Sequence, residues 1–185
     1  MESTPTRPAG PIDWNIIVRQ ALILAIALIA FSALVYVLDF NTMSMSAGAI
    51  NFLVSIAIGT GIALMTVRHQ RSLDGGIISF GRAFTVGFAA TAVGLFLSGF
   101  WNYILVNFID PDYPTRMKEQ FLETWGQSIP EDRMEEAVSG FDKMGSLSNV
   151  LISSFFAALL FGLICSLIAA AIGQKKHSSN GPISA

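Results

Sequence analysis

Few side chains in this 185-residue chain could perform chemistry. The two histidines, His69 and His177, are solitary, and the single cysteine, Cys165, lies inside an apolar run, so no intrachain disulfide can form. A metal site needs three or four His, Cys, Asp or Glu at defined spacing, and a nucleophile needs a neighbouring base; neither arrangement occurs. The glycine-rich stretch 71–82, RSLDGGIISFGR, raises the question of phosphate binding. It lacks the Gly-Lys-Ser/Thr that sets an ammonium and a hydroxyl on phosphate and magnesium, and no strand precedes it as a dinucleotide loop requires. Asp74-Gly75-Gly76 reads instead as a turn, with Ser79 starting the next helix. Ile77, Ile78, Phe80 and Phe84 are then expected at the membrane interface, and Arg68, Arg71 and Arg82 against anionic headgroups. The chain is therefore expected to be no enzyme, to carry no cofactor or metal and to bind no nucleic acid.

The elements that would position these residues are set by where charge is missing. Intervals 20–38, 40–67, 83–109 and 144–174 contain no Asp, Glu, Lys or Arg. Each is long enough for a helix of about 20 residues, which crosses a hydrocarbon core of about 30 Å. Charged residues make up 13% of the chain, about half of what a soluble globular protein carries. The fold class expected is all-α, an integral membrane four-helix bundle, with spans at about 16–38, 47–67, 83–109 and 148–172. Residues 1–14 and 177–185 read as disordered cytoplasmic tails around a single membrane domain at 15–176. The first run lacks a small-x-small cleavage site and should remain as an anchor.

Orientation follows from the basic residues. Arg7, Arg19, Arg68, Arg71, Arg82, Lys175 and Lys176 fall on one side in short segments, against Arg116, Lys118, Arg133 and Lys143 in the longer segment 110–146. That longer segment also holds nine of the thirteen acids. The positive-inside rule then places both termini and the 68–82 loop in the cytoplasm.

Helices in lipid associate where small residues let backbones approach. In the fourth span Ser154, Ala158, Gly162, Ser166 and Ala170 recur every four residues; the third has Ala90, Gly94, Ser98 and Asn102, and the second a shorter stripe through Ala57 and Gly61. Gly94, Ser98, Ala158, Gly162 and Ser166 are the candidate packing residues, either within the bundle, where the matching stripes put spans three and four in close contact, or at a homo-oligomer face. No ionisable residue lies within a span, and Asn51, Asn102, Asn107 and the span hydroxyls are expected to serve interhelical and backbone hydrogen bonds, or a polar path past Asn102.

The segment 110–146 is the only sizeable part outside the lipid. Met117, Phe121, Leu122 and Trp125 fall on one helical face, and Met134, Ala137, Val138 and Phe141 on another. Ser128-Ile129-Pro130-Glu131 reads as a capping box before the second. Two short amphipathic helices result, with Phe121, Trp125, Glu131, Glu135 and Glu136 as the candidate outer docking surface.

The stretch 74–84 (DGGIISFGRAF), the exit Asn102-Tyr103-Ile104 followed by 109–113 (IDPDY), and the last span's 166–172 (SLIAAAI) before Lys175-Lys176 together resemble domain of unknown function 4199, a family of small bacterial membrane proteins found mostly in Bacteroidetes. The likeness spans roughly 15–176. It implies four membrane helices with an outer segment between the third and fourth, and implies no activity, cofactor or binding residue. The function expected is that of a non-enzymatic accessory or scaffold component of the envelope, in the bacterial inner membrane, its partners being the lipid bilayer and either a second copy or an envelope protein. The alternative is a small transporter or channel subunit acting as an oligomer.

Overall fold

Each long apolar helix starts where an Asp or Ser side chain accepts an otherwise orphaned backbone N–H. Asp13 accepts from Asn15 and Ile16 at 3.0 and 3.3 Å, starting α1 (Trp14–Val37). Ser44, Ser79 and Ser146 cap α2 (Met45–Leu73), α3 (Phe80–Ser98) and α7 (Leu147–Gly173) in the same way. Between α3 and α7 come α4 (Phe100–Ile104), a π-helical turn (Leu105–Ile109), α5 (Tyr113–Trp125) and α6 (Met134–Asp142). The computed structural model describes residues 10–175, of which 83% are helical, with no strand.

Four stretches are long and apolar enough to cross a membrane: α1, α2, the run Phe80–Ile109 and α7, of 24, 29, 30 and 27 residues. At about 1.5 Å per residue they span about 36–45 Å. Only 22% to 33% of each apolar window is buried inside the fold, so most of its Leu, Ile and Phe side chains require a non-aqueous surrounding. These are the marks of a multi-pass membrane protein.

Helix α3 packs against α1, α2 and α7, most extensively against α7. Its contacts depend on glycines. A Cβ on Gly87 would touch Ser166 of α7 and Val67 and Ala63 of α2 at 3.6–3.8 Å, and one on Gly99 would overlap Ser154 of α7. The dry core sits toward one end: Ile17, Ala21 and Leu24 of α1, Ala63 and Val67 of α2, and Ala83, Val86 and Ala90 of α3 are buried, whereas α1 has no buried residue beyond Leu28 and α2 none before Gly59.

Several expectations are corrected. Helix α2 does not stop near 67 but runs to Leu73, because Gln70 near its end is fully buried and hydrogen-bonded; the loop to α3 shrinks to residues 74–79. Gly75 and Gly76 do make that turn, both at positive φ (78° and 90°). Ile78 is not interfacial: it is 2% exposed and pairs with Lys175 in an isolated β-bridge. Residues 10–13 are ordered against α2, since Pro11 and Asp13 both bond Gln70; residues 1–9 and 176–185 lie outside the described part. The third span is broken at Gly99. Ser128 does not cap the next helix: it ends a 3-10 turn of its own, Gly126–Ser128, and a second 3-10 turn, Glu131–Arg133, starts after Pro130 with no side-chain cap, the chain tightening into i→i+3 bonding. Ala57 and Gly61 face outward, and Gly59, Ala63, Thr66, Val67 and Gln70 form the buried face of α2.

Candidate functional site

Polar side chains gather at both ends of the long helices, and a cavity lies between. At the end where α1 begins and α7 ends, Asp74 accepts from Arg82 through both oxygens, at 2.6 Å from Nε and 3.0 Å from Nη2. The Asp74 side chain is 2% exposed and Arg82 20%. Such a fork-on-carboxylate pair needs its remaining donors satisfied when buried, and Arg82 also donates to the Gly10 carbonyl. Gln70 accepts from the Asp13 N–H and donates to Pro11 O and Asp74 Oδ1, at 3.1–3.2 Å. Arg71 donates to Gly173 O at 3.2 Å. The headgroup role expected for Arg71 and Arg82 is thus replaced by contacts within the protein. His69, expected to stand alone, lies 3.3 Å from Asp13. The Ile16 N–H, with His69 adding to it against the effect of burial, holds the Asp13 carboxyl below its usual range.

At the opposite end Asp110 follows the π-turn and accepts from Tyr36 of α1 at 2.9 Å and from Arg116 of α5 through both nitrogens. The Arg116 guanidinium lowers the Asp110 carboxyl below the ordinary value, helped by the Tyr36 hydroxyl and opposed by burial, and the pair raises Arg116 in turn. Tyr113 meets Tyr36 edge-on at 5.8 Å. Trp125 donates from Nε1 to Met43 O in the α1–α2 loop at 3.1 Å. Helix α6 joins α5 through Phe121 and Phe141, 5.4 Å apart, with Met117 and Val138 buried.

Between these ends, in the half away from the dry core, a cavity of about 360 Å³ is lined by Ser32, Ser55, Ser98, Asn102, Ser153 and Ser154. Leu28, Leu95, Trp101 and Phe161 complete much of its wall. It coincides with the break in the third span. Gly99 N–H is shared between Leu95 O and Phe96 O, Asn102 N–H bonds three residues back to Gly99 O, and the chain then loosens into the π-turn. This change of winding flanks the lining residues Trp101 and Asn102, and π-turns inside helices are frequent at functional sites.

The residues singled out from sequence are distributed as follows. Ala158, Gly162 and Ser166 are buried on α7, and a Cβ on Gly162 would meet Ala92 and Phe88 of α3 at 3.4–3.5 Å. Thr91 donates to Gly87 O within α3 at 2.9 Å and approaches Gly162 O across the interface at 3.4 Å. Gly94 faces α1 rather than α7: a Cβ there would lie 2.8 Å from Ala21 O. Ser98 lines the cavity. Phe121 and Trp125 are partly buried, while Glu131, Glu135 and Glu136 are exposed. Sequence reasoning missed Gly87 and Gly99 at the α3–α7 contact, and both polar clusters. An Asp directly before an apolar run signals the Asp13 cap, but nothing local signals that Gln70 would be its partner. Among the described residues no three His, Cys, Asp or Glu side chains gather where a metal could be held.

One protein-family description, Protein of unknown function (DUF4199), matches residues 19–175. The chain belongs to this family. The DUF4199 match includes both sides of the cavity and the whole of α5 and α6, and it leaves out residues 10–13, which grip Gln70 and Arg82. No curated protein and no solved structure matches the chain.

Proposed function

We propose that this DUF4199 protein is a non-enzymatic accessory or scaffold component of a bacterial cell envelope. It lies in the cytoplasmic membrane with both termini inside, its spans forming a four-helix bundle and α5 and α6 acting as amphipathic helices over the outer end. The observation that carries this reading is the fastening of that outer layer. Asp110 ties α5 to α1 and Trp125 ties it to the α1–α2 loop, while Glu119, Glu123, Glu131, Asp132, Glu135 and Glu136 all stand exposed. A platform already ordered loses little freedom when a partner docks, so its contacts convert more fully into affinity. Purification in mild detergent with an envelope cross-linker tests this. A protein recovered with the wild type should be lost when Phe121 and Trp125 become serine, or when Glu131, Glu135 and Glu136 become glutamine, according to whether apolar or acidic contacts dominate. Recovery unchanged in both variants refutes docking through this layer. For orientation, a cysteine at Ser128 in a Cys165→Ser background should react with an impermeant maleimide in intact cells and one at Ser72 should not.

The cavity favours a second reading, a transporter subunit that receives a solute from the outer side. Passage would require continuation through the half closed by Ala21, Leu24, Ala63, Val67 and Ala90, all buried to 0%. Uptake of a neutral solute by vesicles holding the purified protein, absent from empty vesicles, would decide for it.

A further inference from the structure

We propose that the cavity is a binding site for an uncharged, hydroxyl-bearing amphiphile taken from the leaflet that surrounds that half of the spans. Three properties of the lining select this class. First, none of its residues is ionisable. A charged ligand would give up hydration with no countercharge to replace it, which is costly at membrane depth. Second, three of its five serine hydroxyls are turned so as to accept. Ser55 donates to Asn51 O, Ser98 to Leu95 O and Ser153 to Val150 O, at 2.8–3.2 Å. With their protons engaged, the oxygen lone pairs remain for a donor on the ligand, and a hydroxyl is the neutral group that supplies one. A plain hydrocarbon would leave those acceptors unused. Third, Leu95, Trp101 and Phe161 provide apolar wall for a chain beside the polar positions, and about 360 Å³ falls in the size range of small-molecule sites, where a mostly apolar wall carries a few fixed polar groups.

The cavity is also closed on the inner side. Leu28 is part of its lining, and toward the dry core Leu24 and Ala90 are fully buried, Leu24 lying 2.9 Å from where a Cβ on Gly94 would stand. Ser32, Asn102 and Ser153 are exposed, so the space communicates with the surroundings on its own half. A space closed on one side and open on the other is suited to holding a ligand. The proposal is independent of any partner on α5 and α6.

Trp101 in the wall provides the readout. In a Trp14→Phe, Trp125→Phe background it is the only tryptophan, and the protein can be placed in phosphatidylcholine nanodiscs containing graded amounts of dibrominated monoacylglycerol, whose bromines quench indole at contact. Quenching should saturate at low mole fraction. Ser153→Leu and, independently, Ser32→Leu should fill the space and raise the half-saturating fraction at least fivefold, while dibrominated phosphatidylglycerol, similar in its chains but charged, should give only a linear rise. A linear rise with monoacylglycerol, equal in all three proteins, overturns the proposal, as does saturable, Ser153→Leu-sensitive quenching by phosphatidylglycerol. Unhindered quenching of Trp101 by aqueous acrylamide at saturating monoacylglycerol would mean that water fills the space, and would overturn it as well.

Discussion

Replacing Gly94 with alanine places one methyl group where α1 passes closest to α3. Its Cβ would stand 2.8 Å from the Ala21 carbonyl oxygen and 2.9 Å from Cβ and Cδ2 of Leu24. Carbon and carbonyl oxygen approach to about 3.3 Å even in favourable C–H···O contacts, so the helices must separate by about half an ångström. The Ala21 oxygen belongs to the main chain and cannot rotate away. Overpacking of this kind costs about 1–3 kcal/mol, and the lower backbone entropy of alanine in a helix returns about 0.5–1 kcal/mol, leaving a net loss of up to about 2.5 kcal/mol. Two other glycines provide the scale. Gly61 has nothing within 4 Å of the built Cβ, so Gly61→Ala should hold or gain stability; Gly162, with neighbours at 3.4–3.5 Å, should accept alanine at little cost but lose about 1–3 kcal/mol on Gly162→Leu. Unfolding by SDS titration in mixed micelles ranks the variants. A Gly94→Ala protein as resistant as Gly61→Ala would refute the close α1–α3 approach and with it the seal below the cavity.

Arg82→Gln strips the buried Asp74 carboxylate of its fork and should cost about 3 kcal/mol, seen in thermal unfolding and as faster proteolysis ahead of α1. Gly99→Ala should be severely destabilising because its Cβ would lie 2.5 Å from Ser154 Cβ, and Ser154→Gly should restore most of the loss; additive effects of the two changes would deny that these residues meet. Asp110, lowered from 3.8 in the folded protein, contributes stability that is complete above the unfolded value and is lost as pH falls through the lowered one. The stability gap between wild type and Asp110→Asn should therefore be constant above about pH 5 and narrow progressively as pH falls below about 4, and a gap that widens as pH falls would contradict the sign. Trp125→Phe keeps an aromatic side chain, though a smaller one, but loses the bond to Met43 O, and should cost at least about 0.5–1.5 kcal/mol in the same SDS titration.

How much of this was legible in the sequence depends on the range over which each signal acts. Span length and capping are local: missing charge over 20–38 or 144–174 suffices to find α1 and α7, and Ser79 before an apolar run suffices to start α3. A small-residue stripe is local too, but it identifies a face without naming what the face meets. The stripe through Ala90 and Gly94 was expected against α7, yet Gly94 meets α1, because the neighbour is chosen by where Gly87 and Gly99 let α7 settle on the adjoining face. Polar contacts carry least local trace. Asp13 and Gln70 are 57 residues apart and Tyr36 and Asp110 are 74 apart, and neither pair interrupts a period or changes a composition window. The cavity is less visible still, since Ser98 and Asn102 occupy the same four-residue spacing as the packed residues below them. What separates them is the tightening at Gly99 and the loosening after Ile104, and a glycine within an apolar helix looks the same in sequence whether it lets two helices touch or lets one of them break. Here Gly99 does both: its lack of a Cβ admits Ser154, and that contact holds α7 against the point where the third span changes winding. The serine-lined space is thus a consequence of close packing at one residue, which is why stability at Gly99 and ligand occupancy beside it should change together.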